Sequence, residues 1–277
     1  MMNRNYCEVG HIDLNFRKKS SGWVEGVCPF CNKDRKHVLQ ISPDGGWVHC
    51  FRCGWNGSMS QFEKAINTKV EFAFSGKYEP PKLDEYEIDE GVAVTKSKQA
   101  YQYLKSRGAE EYAILNKWRC TPDKIIIPIY QYGTCVGKVD RNYKGLLRYR
   151  FSDGFKSSLL LFNYDLAKHY NILILNEGVF DVISTSKALP FCGVIGLFGK
   201  SISCHNTERI RALSPDEIVL MLDSPSKDKE IKKAVVDISL KLCGMPVSVA
   251  TLKNGDPNES SVKEVQEAFF TRKKFGF

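Results

Sequence analysis

Four cysteines in the segment CPFCNKDRKHVLQISPDGGWVHCFRCG are spaced to hold one metal ion. Cys28 and Cys31 form one Cys-x-x-Cys pair, and Cys50 and Cys53 form the other. Each pair makes a knuckle that aims two sulfurs at one point, and the chain between them must fold back to bring the pairs together. Four thiolates complete the tetrahedral shell of zinc and leave no position for water, so such an ion is structural. His37 and His49 lie close by, but a four-thiolate shell needs neither. The other six cysteines, Cys7, Cys120, Cys135, Cys192, Cys204 and Cys243, share no spacing. They read as small core residues in a reducing, cytoplasmic setting.

The second constellation is acidic. The strand-like segment 171–176, apolar from Ile172 to Leu175, leads to Glu177 and Gly178, and the apolar run 218–222 ends in Asp223. Ligand sites of parallel sheets lie at the carboxyl ends of the strands. Asp181 follows Glu177 by four residues on a helix that starts there, so both acids can face one pocket. Asp228 and Asp256 lie just beyond later strand or loop ends. Carboxylates gathered in this way are costly unless a cation compensates them. Magnesium suits the set, with manganese as an alternative, because it takes one or two carboxylates and keeps positions for water and phosphate oxygens.

These residues need elements to position them. Residues 37–42 and 47–49 read as strands joined by the turn Pro43-Asp44-Gly45-Gly46. Residues 60–67 read as a helix capped by Ser58 or Ser60. Residues 71–95 are acidic, carry Pro80-Pro81 and lack amphipathic period, so they read as a linker after a first unit over 1–70. Residues 97–107 read as a helix ended by Gly108, and 124–130 with 134–140 as an antiparallel hairpin around Tyr132-Gly133. Beyond a helix end at 166–169, strands at 171–175, 193–197, 217–222 and 247–252 alternate with helices at 179–188, 206–213 and 229–243. That alternation predicts a parallel α/β sheet over 171–277. The tail from Phe269 to Phe277 reads either as a docking peptide or as a frayed end.

Charge distribution points to a polyanionic partner. The chain has 277 residues and a net charge of +8. Residues 96–170 carry 14 basic and 6 acidic side chains, whereas residues 171–277 carry 14 and 13. A basic block beside a neutral one suits a polyanion lying across the former while chemistry proceeds in the latter. Around the cysteines, Phe30, Lys33, Arg35, Lys36, Trp47, Phe51, Arg52 and Trp55 combine rings and cations, as single-stranded nucleic acid requires. Phe30 and Phe51 read as core, and Trp47, Arg52 and Trp55 as DNA-facing. No apolar run approaches the roughly 20 residues of a membrane span.

In order and spacing, these motifs resemble the DNA primases of bacteria and their phages, the DnaG type. CPFC…HCFRCG is similar to that family's zinc ribbon, and AYQYLKSRGA to the start of its RNA polymerase domain. KIIIPIYQYGTCVGKVDR is similar to the basic strand–turn–strand that follows. NEGVFDVIS, GLFGKS, LMLDS and NGDPNE resemble the successive motifs of the TOPRIM fold. The expected architecture is therefore α/β: a zinc ribbon (1–70), an acidic linker (71–95), a mixed α+β basic unit (96–170) and a TOPRIM domain with a short tail (171–277).

The resemblance implies one structural zinc on the four cysteines and magnesium among Glu177, Asp181, Asp223 and Asp256. It implies that Lys124, Arg141 and Lys200 hold nucleotide phosphates. By their charge, Arg148, Arg150 and Lys156 are candidates for the template or primer track. The expected activity is magnesium-dependent synthesis of RNA primers from ribonucleoside triphosphates on single-stranded DNA. A separate helicase is the expected partner, because the sequence holds no GxxxxGK[ST] loop. The family places a second acid two residues after the first at the LMLDS motif, but here that residue is Pro225. Asp228 is the nearest substitute ligand, and its alternative role is to cap a following helix. Four cysteines, where many members have one histidine, and compactness point to the phage branch. The rival class is a non-catalytic recombination or replication mediator joining a four-cysteine site to TOPRIM. There the two are adjacent, whereas here about 120 residues lie between Cys53 and Glu177. A TOPRIM nuclease is a third class.

Overall fold

The computed structural model describes residues 8–9, 12–13, 17–18, 23–31, 37–42, 47–67, 83–143, 148–226, 228, 230–253 and 255–275. The cysteine-bearing unit is a five-stranded antiparallel sheet in the order 17–18, 24–27, 37–41, 47–50, 56–58, with the Met59–Ile66 helix behind it. The helix begins where Ser58 can close a capping box: its hydroxyl accepts from the Gln61 N–H, and the Gln61 side chain accepts from the Ser58 N–H. Among the described residues its hydrophobic cluster is small: Val24, Leu39, Ile41, Val48, Phe62, Ile66 and two of the cysteines, with Trp23 and Val27 also buried. A core that small holds a fold only with help from a staple or metal. The turn at 43–46 and the cations Lys33, Arg35 and Lys36 lie outside the described residues.

The second sheet is also antiparallel and five-stranded, in the order 149–151, 134–142, 124–131, 119–120, 92–93. Residues 83–93, assigned by composition to the linker, pack on it: Val92–Ala93 is its edge strand, and the Tyr86 N–H donates to the Cys135 carbonyl at 2.8 Å. The sequence-based reading took acidity there as a sign of extension, but Glu90 is instead the counterion of Lys124 and Lys138. The Lys98–Ser106 helix starts at Ser97, whose hydroxyl accepts from the Ala100 N–H. The short helix Glu110–Leu115 follows it.

Strands Gly193–Gly196, Ile172–Asn176, Glu217–Leu220 and Val247–Val249 are parallel and in that order, as the strand–helix alternation predicts. Lys273–Lys274 adds an antiparallel edge. The tail through Phe275 is therefore docked, not frayed: Phe269 is buried and Arg272 forks onto both Glu217 oxygens at 2.8 and 2.6 Å. A helix at Val262–Phe270, unrecognised in the sequence, carries Phe269 there. The two larger sheets share one core, in which Ile125, Ile127, Ile129 and Val139 pack with Ile174, Phe180 and Val182. A bridge between Phe162 and Gly196 joins them, and a side chain on Gly196 would crowd Phe162 and Val182 at about 3 Å. Among the described residues no helix is long and apolar enough to cross a membrane.

Candidate active site and cysteine cluster

Cys28, Cys31, Cys50 and Cys53 offer four sulfurs that all lie within 4.8 Å of one another. Cys28 and Cys53 approach to 3.8 Å, and Cys31 and Cys50 to 3.5 Å. Tetrahedral coordination with Zn–S near 2.3 Å needs sulfurs about 3.8 Å apart, so the set has the right size. Burial pushes the Cys28 thiol well above its ordinary value. Thiolates in that setting need a cation beside them.

Trp47 and Trp55 serve the ribbon and its contacts. Trp55 stacks on Phe30 at 5.4 Å and meets Phe62 edge-on at 5.1 Å. The Trp47 indole N–H donates to Asn56 Oδ1 at 2.7 Å and reaches Cys243 Sγ, in the parallel-sheet unit, at 2.8 Å. Gly244 lies against the indole so closely that a Cβ would sit 2.5 Å from it. Phe30 and Phe51, read as core, are the more exposed rings, and Arg52 is exposed in the turn beside Phe51. Solvent access therefore reverses the assignment made from residue type: the larger tryptophans pack, and the phenylalanines remain open.

The acids converge. Asn176 is fully buried and donates to the Met221 carbonyl at 2.6 Å, locking the ends of two adjacent parallel strands together. Glu177 and Asp223 follow those ends, and Glu177 Oε1 accepts the Asp223 N–H at 3.1 Å. Asp181, in the first turn of the Val179–Ala188 helix, accepts the Gly178 N–H at 3.0 Å. The Ser224 N–H donates to the Gly255 carbonyl at 2.8 Å, which draws the loop of Asp256 to the same edge. Glu177, Asp181, Asp223 and Asp256 line one cavity of about 390 Å³. Burial, then Asp223, pushes Glu177 up to about 7. Burial, then Asp256 and Asp223, raises Asp181 to about 7. Carboxyls raised by burial and mutual repulsion gain from a nearby cation; among the described residues the four cysteines are the one group whose ligand atoms lie close enough to share an ion.

The rest of the lining is largely cationic and aromatic. Arg141 is buried, donates from Nε to the Tyr103 hydroxyl at 2.7 Å and lies 4.5 Å over the Tyr149 ring. Arg107 donates to Asn258 Oδ1 at 2.9 Å and lies over Phe180. Arg148 also lines the cavity, with Phe151 and Phe198. Arg107, Asn258, Tyr149, Phe180 and Phe198 were not singled out in the sequence, although all but Tyr149 stand inside the AYQYLKSRGA, NEGVFDVIS, GLFGKS and NGDPNE motifs.

Lys124 is not brought to this cavity. A bulge between Ile129 and Tyr130 shifts the hairpin register, so Arg141 pairs with Ile125 and Lys124 with Asn142. Arg141 and Lys124 therefore project from opposite faces. On the far face Lys124 bonds Asp140 at 2.6 Å and Glu90 at 3.1 Å. Lys138 pairs with the same two acids. Arg150, opposite Asp140 in the register, and Lys156 are exposed outside the cavity lining. Lys200 pairs with Asp228 and Glu230. Asp228 Oδ1 also accepts the Glu230 N–H at 2.9 Å at the start of the Ile231–Lys241 helix, so both its oxygens are engaged. Pro225 lines a separate apolar hollow with Leu222, Ile231 and Val235.

No family model matches the chain, and no curated protein sequence does. Solved structures do. The zinc-binding and RNA polymerase domains of the Aquifex aeolicus primase superpose with a TM-score of 0.52 at 18% identity, covering 95% of this chain and 81% of that one. The fold is that of the DnaG-type primases. The primase fragment of the bacteriophage T7 primase-helicase protein gives a TM-score of 0.52 at 18% identity, covering 88% and 96%. A DNA primase domain from Pseudomonas aeruginosa gives 0.50 at 16%, covering 64% and 73%. The Aquifex structure joins zinc-binding and RNA polymerase domains, and the likeness to it spans nearly all of this chain, the four-cysteine ribbon being one part of the fold.

Proposed function

We propose that the chain is a DNA primase, a nucleotidyltransferase that makes short RNA primers on single-stranded DNA. The observation that supports this best is the cavity itself: five acids, Glu177, Asp181, Asp223, Asp256 and Glu259, two of them raised to about 7, share its lining with Arg107, Arg141 and Arg148. The acids suit divalent cations and the arginines suit a polyphosphate. The residues fit magnesium. Glu177, Asp181, Asp223 and Asp256 would hold it, and when bound it would activate a primer 3′-hydroxyl and neutralise charge on the triphosphate. The arginines orient the phosphates. Burial of Arg141 over the Tyr149 ring fixes its direction before substrate arrives, so little reorganisation is needed during reaction.

With Pro225 directed elsewhere and Asp228 paired to Lys200, Glu177, Asp181, Asp223 and Asp256 are the whole acid set of this reading. Zinc is the ion the four-sulfur set suits, in a structural role. A separate helicase remains the proposed partner, and the exposed Arg150 and Lys156 suit the path of a nucleic-acid backbone. Incubation with labelled ribonucleotides, magnesium and unprimed single-stranded DNA tests the reading: short template-dependent RNA is the expected product.

A further inference from the structure

An aromatic ledge forms part of the rim of the cavity that the acids line. Phe151 ends the Tyr149–Phe151 strand, lines the cavity and keeps 40% of its surface exposed. One face stacks on Phe155, with centroids 4.7 Å apart and planes 30° apart. Phe198 meets both rings edge-on, at 6.0 and 5.2 Å, and also touches Phe162 at 6.3 Å. Phe198 has φ 57°, a left-handed conformation that a phenylalanine keeps only where its surroundings over-determine it. The ledge is thus fixed from three segments of chain.

The other rings of the cavity are already occupied. Tyr149 lies under the Arg141 guanidinium, and Phe180 is buried beneath Arg107 and Arg141 at 5.9 Å each. Phe151 alone among them is an exposed ring, and the exposed Arg148, three residues before it, lines the same cavity. A rigid aromatic ring beside cations is a stacking platform for a base. The acids and arginines that suit a polyphosphate share its cavity, so the base attached to those phosphates is the one within reach.

We infer that Phe151 stacks the nucleobase of the incoming ribonucleoside triphosphate. This rests on the primase reading and adds the residue that holds the base. A phenyl ring has no donor or acceptor, so it grips any base without reading it, as a templated reaction requires.

The test measures equilibrium binding of magnesium-ATP and of magnesium-tripolyphosphate to the full chain without DNA. Phe151→Ala and Phe151→Leu should each weaken ATP about tenfold, or roughly 1.4 kcal/mol, and Phe151→Tyr should restore it. Tripolyphosphate, which has no base, should bind all four proteins alike. Leucine keeps apolar packing on Phe155, so loss in that variant is not a folding defect. Unchanged ATP affinity in the alanine and leucine variants, or equal losses for both ligands, would overturn the assignment of Phe151 while leaving the primase reading standing. Failure of the wild-type chain to bind either ligand would overturn the primase reading and the inference with it.

Discussion

The cysteine cluster and the acid cavity are built by opposite means. The cysteines fall within residues 28–53, and one small antiparallel sheet closes them on one another. The acids span residues 177–256, and they meet because parallel strands end side by side. Around the cysteines the hydrophobic cluster is small among the described residues, so the ligands themselves have to carry the fold. Around the acids the core is extensive, and the carboxyls are a net cost to it, since burial and repulsion raise Glu177 and Asp181 to about 7. Removing a cysteine should therefore remove structure, whereas removing an acid should remove chemistry and leave structure intact.

The largest expected effect lies on the cysteine side. Metal ligation supplies on the order of 10–16 kcal/mol of apparent binding energy to modules of this kind. Cys50→Ser should abolish stoichiometric zinc and amide-exchange protection over 37–66, while residues 83–275 keep their thermal transition. If that transition falls with the ribbon, the two regions are one cooperative unit and the contrast is wrong.

The seam between the ribbon and the parallel-sheet unit comes next. Gly244 has φ 95° and packs on Trp47, so Gly244→Ala adds both backbone strain and a clash. Left-handed strain costs about 1–2 kcal/mol for a residue with a Cβ. The variant should speed proteolysis between residues 67 and 83 and expose Trp47 to quenchers, with both units still folded. An unchanged quenching profile would show that the contact does not hold the ribbon.

A smaller effect separates the regions by pH. In magnesium-free buffer the folded state keeps protons on Glu177 and Asp181 up to about 7. The unfolded chain releases them near 4, at ordinary carboxylate values. The folded state then binds more protons, so these two groups make stability fall as pH rises from about 4 to 7 and level off above. Magnesium should restore the loss, raising the melting temperature at pH 8 and not at pH 4. Glu177→Gln should flatten the magnesium-free slope. A slope that Glu177→Gln leaves untouched would place the buried charge elsewhere.

The two regions were also unequally legible in the sequence. Spacing alone identified the cysteines, because their closure needs nothing beyond a hairpin. Glu177 and Asp223 were legible as acids ending apolar runs, which marks the carboxyl edge of a parallel sheet. The arginines of the cavity were only partly legible. Arg107 meets Asn258 across 151 residues, a contact no local pattern encodes. Lys124 and Arg141 would share a face in an unbroken hairpin about Tyr132-Gly133, and the single bulge at Ile129/Tyr130 separates them. A one-residue irregularity is invisible to alternation, yet it reverses every side chain beyond it. Trp47 and Trp55 were misassigned for a related reason: residue type says that a ring stacks, and only the fold says on what.

Primer synthesis by the wild-type chain and Glu177→Gln is the most direct test of the central claim, that the acid cavity is the polymerase centre. On unprimed single-stranded DNA with magnesium and ribonucleotides, the wild type should yield short RNA complementary to the template. Glu177→Gln should bind the same DNA, melt no lower and lose at least about a hundredfold in rate, roughly 2.7 kcal/mol of barrier. Synthesis by Glu177→Gln within about tenfold of wild type, a difference of roughly 1.4 kcal/mol, would contradict the account, as would a wild-type chain that binds template and makes no RNA.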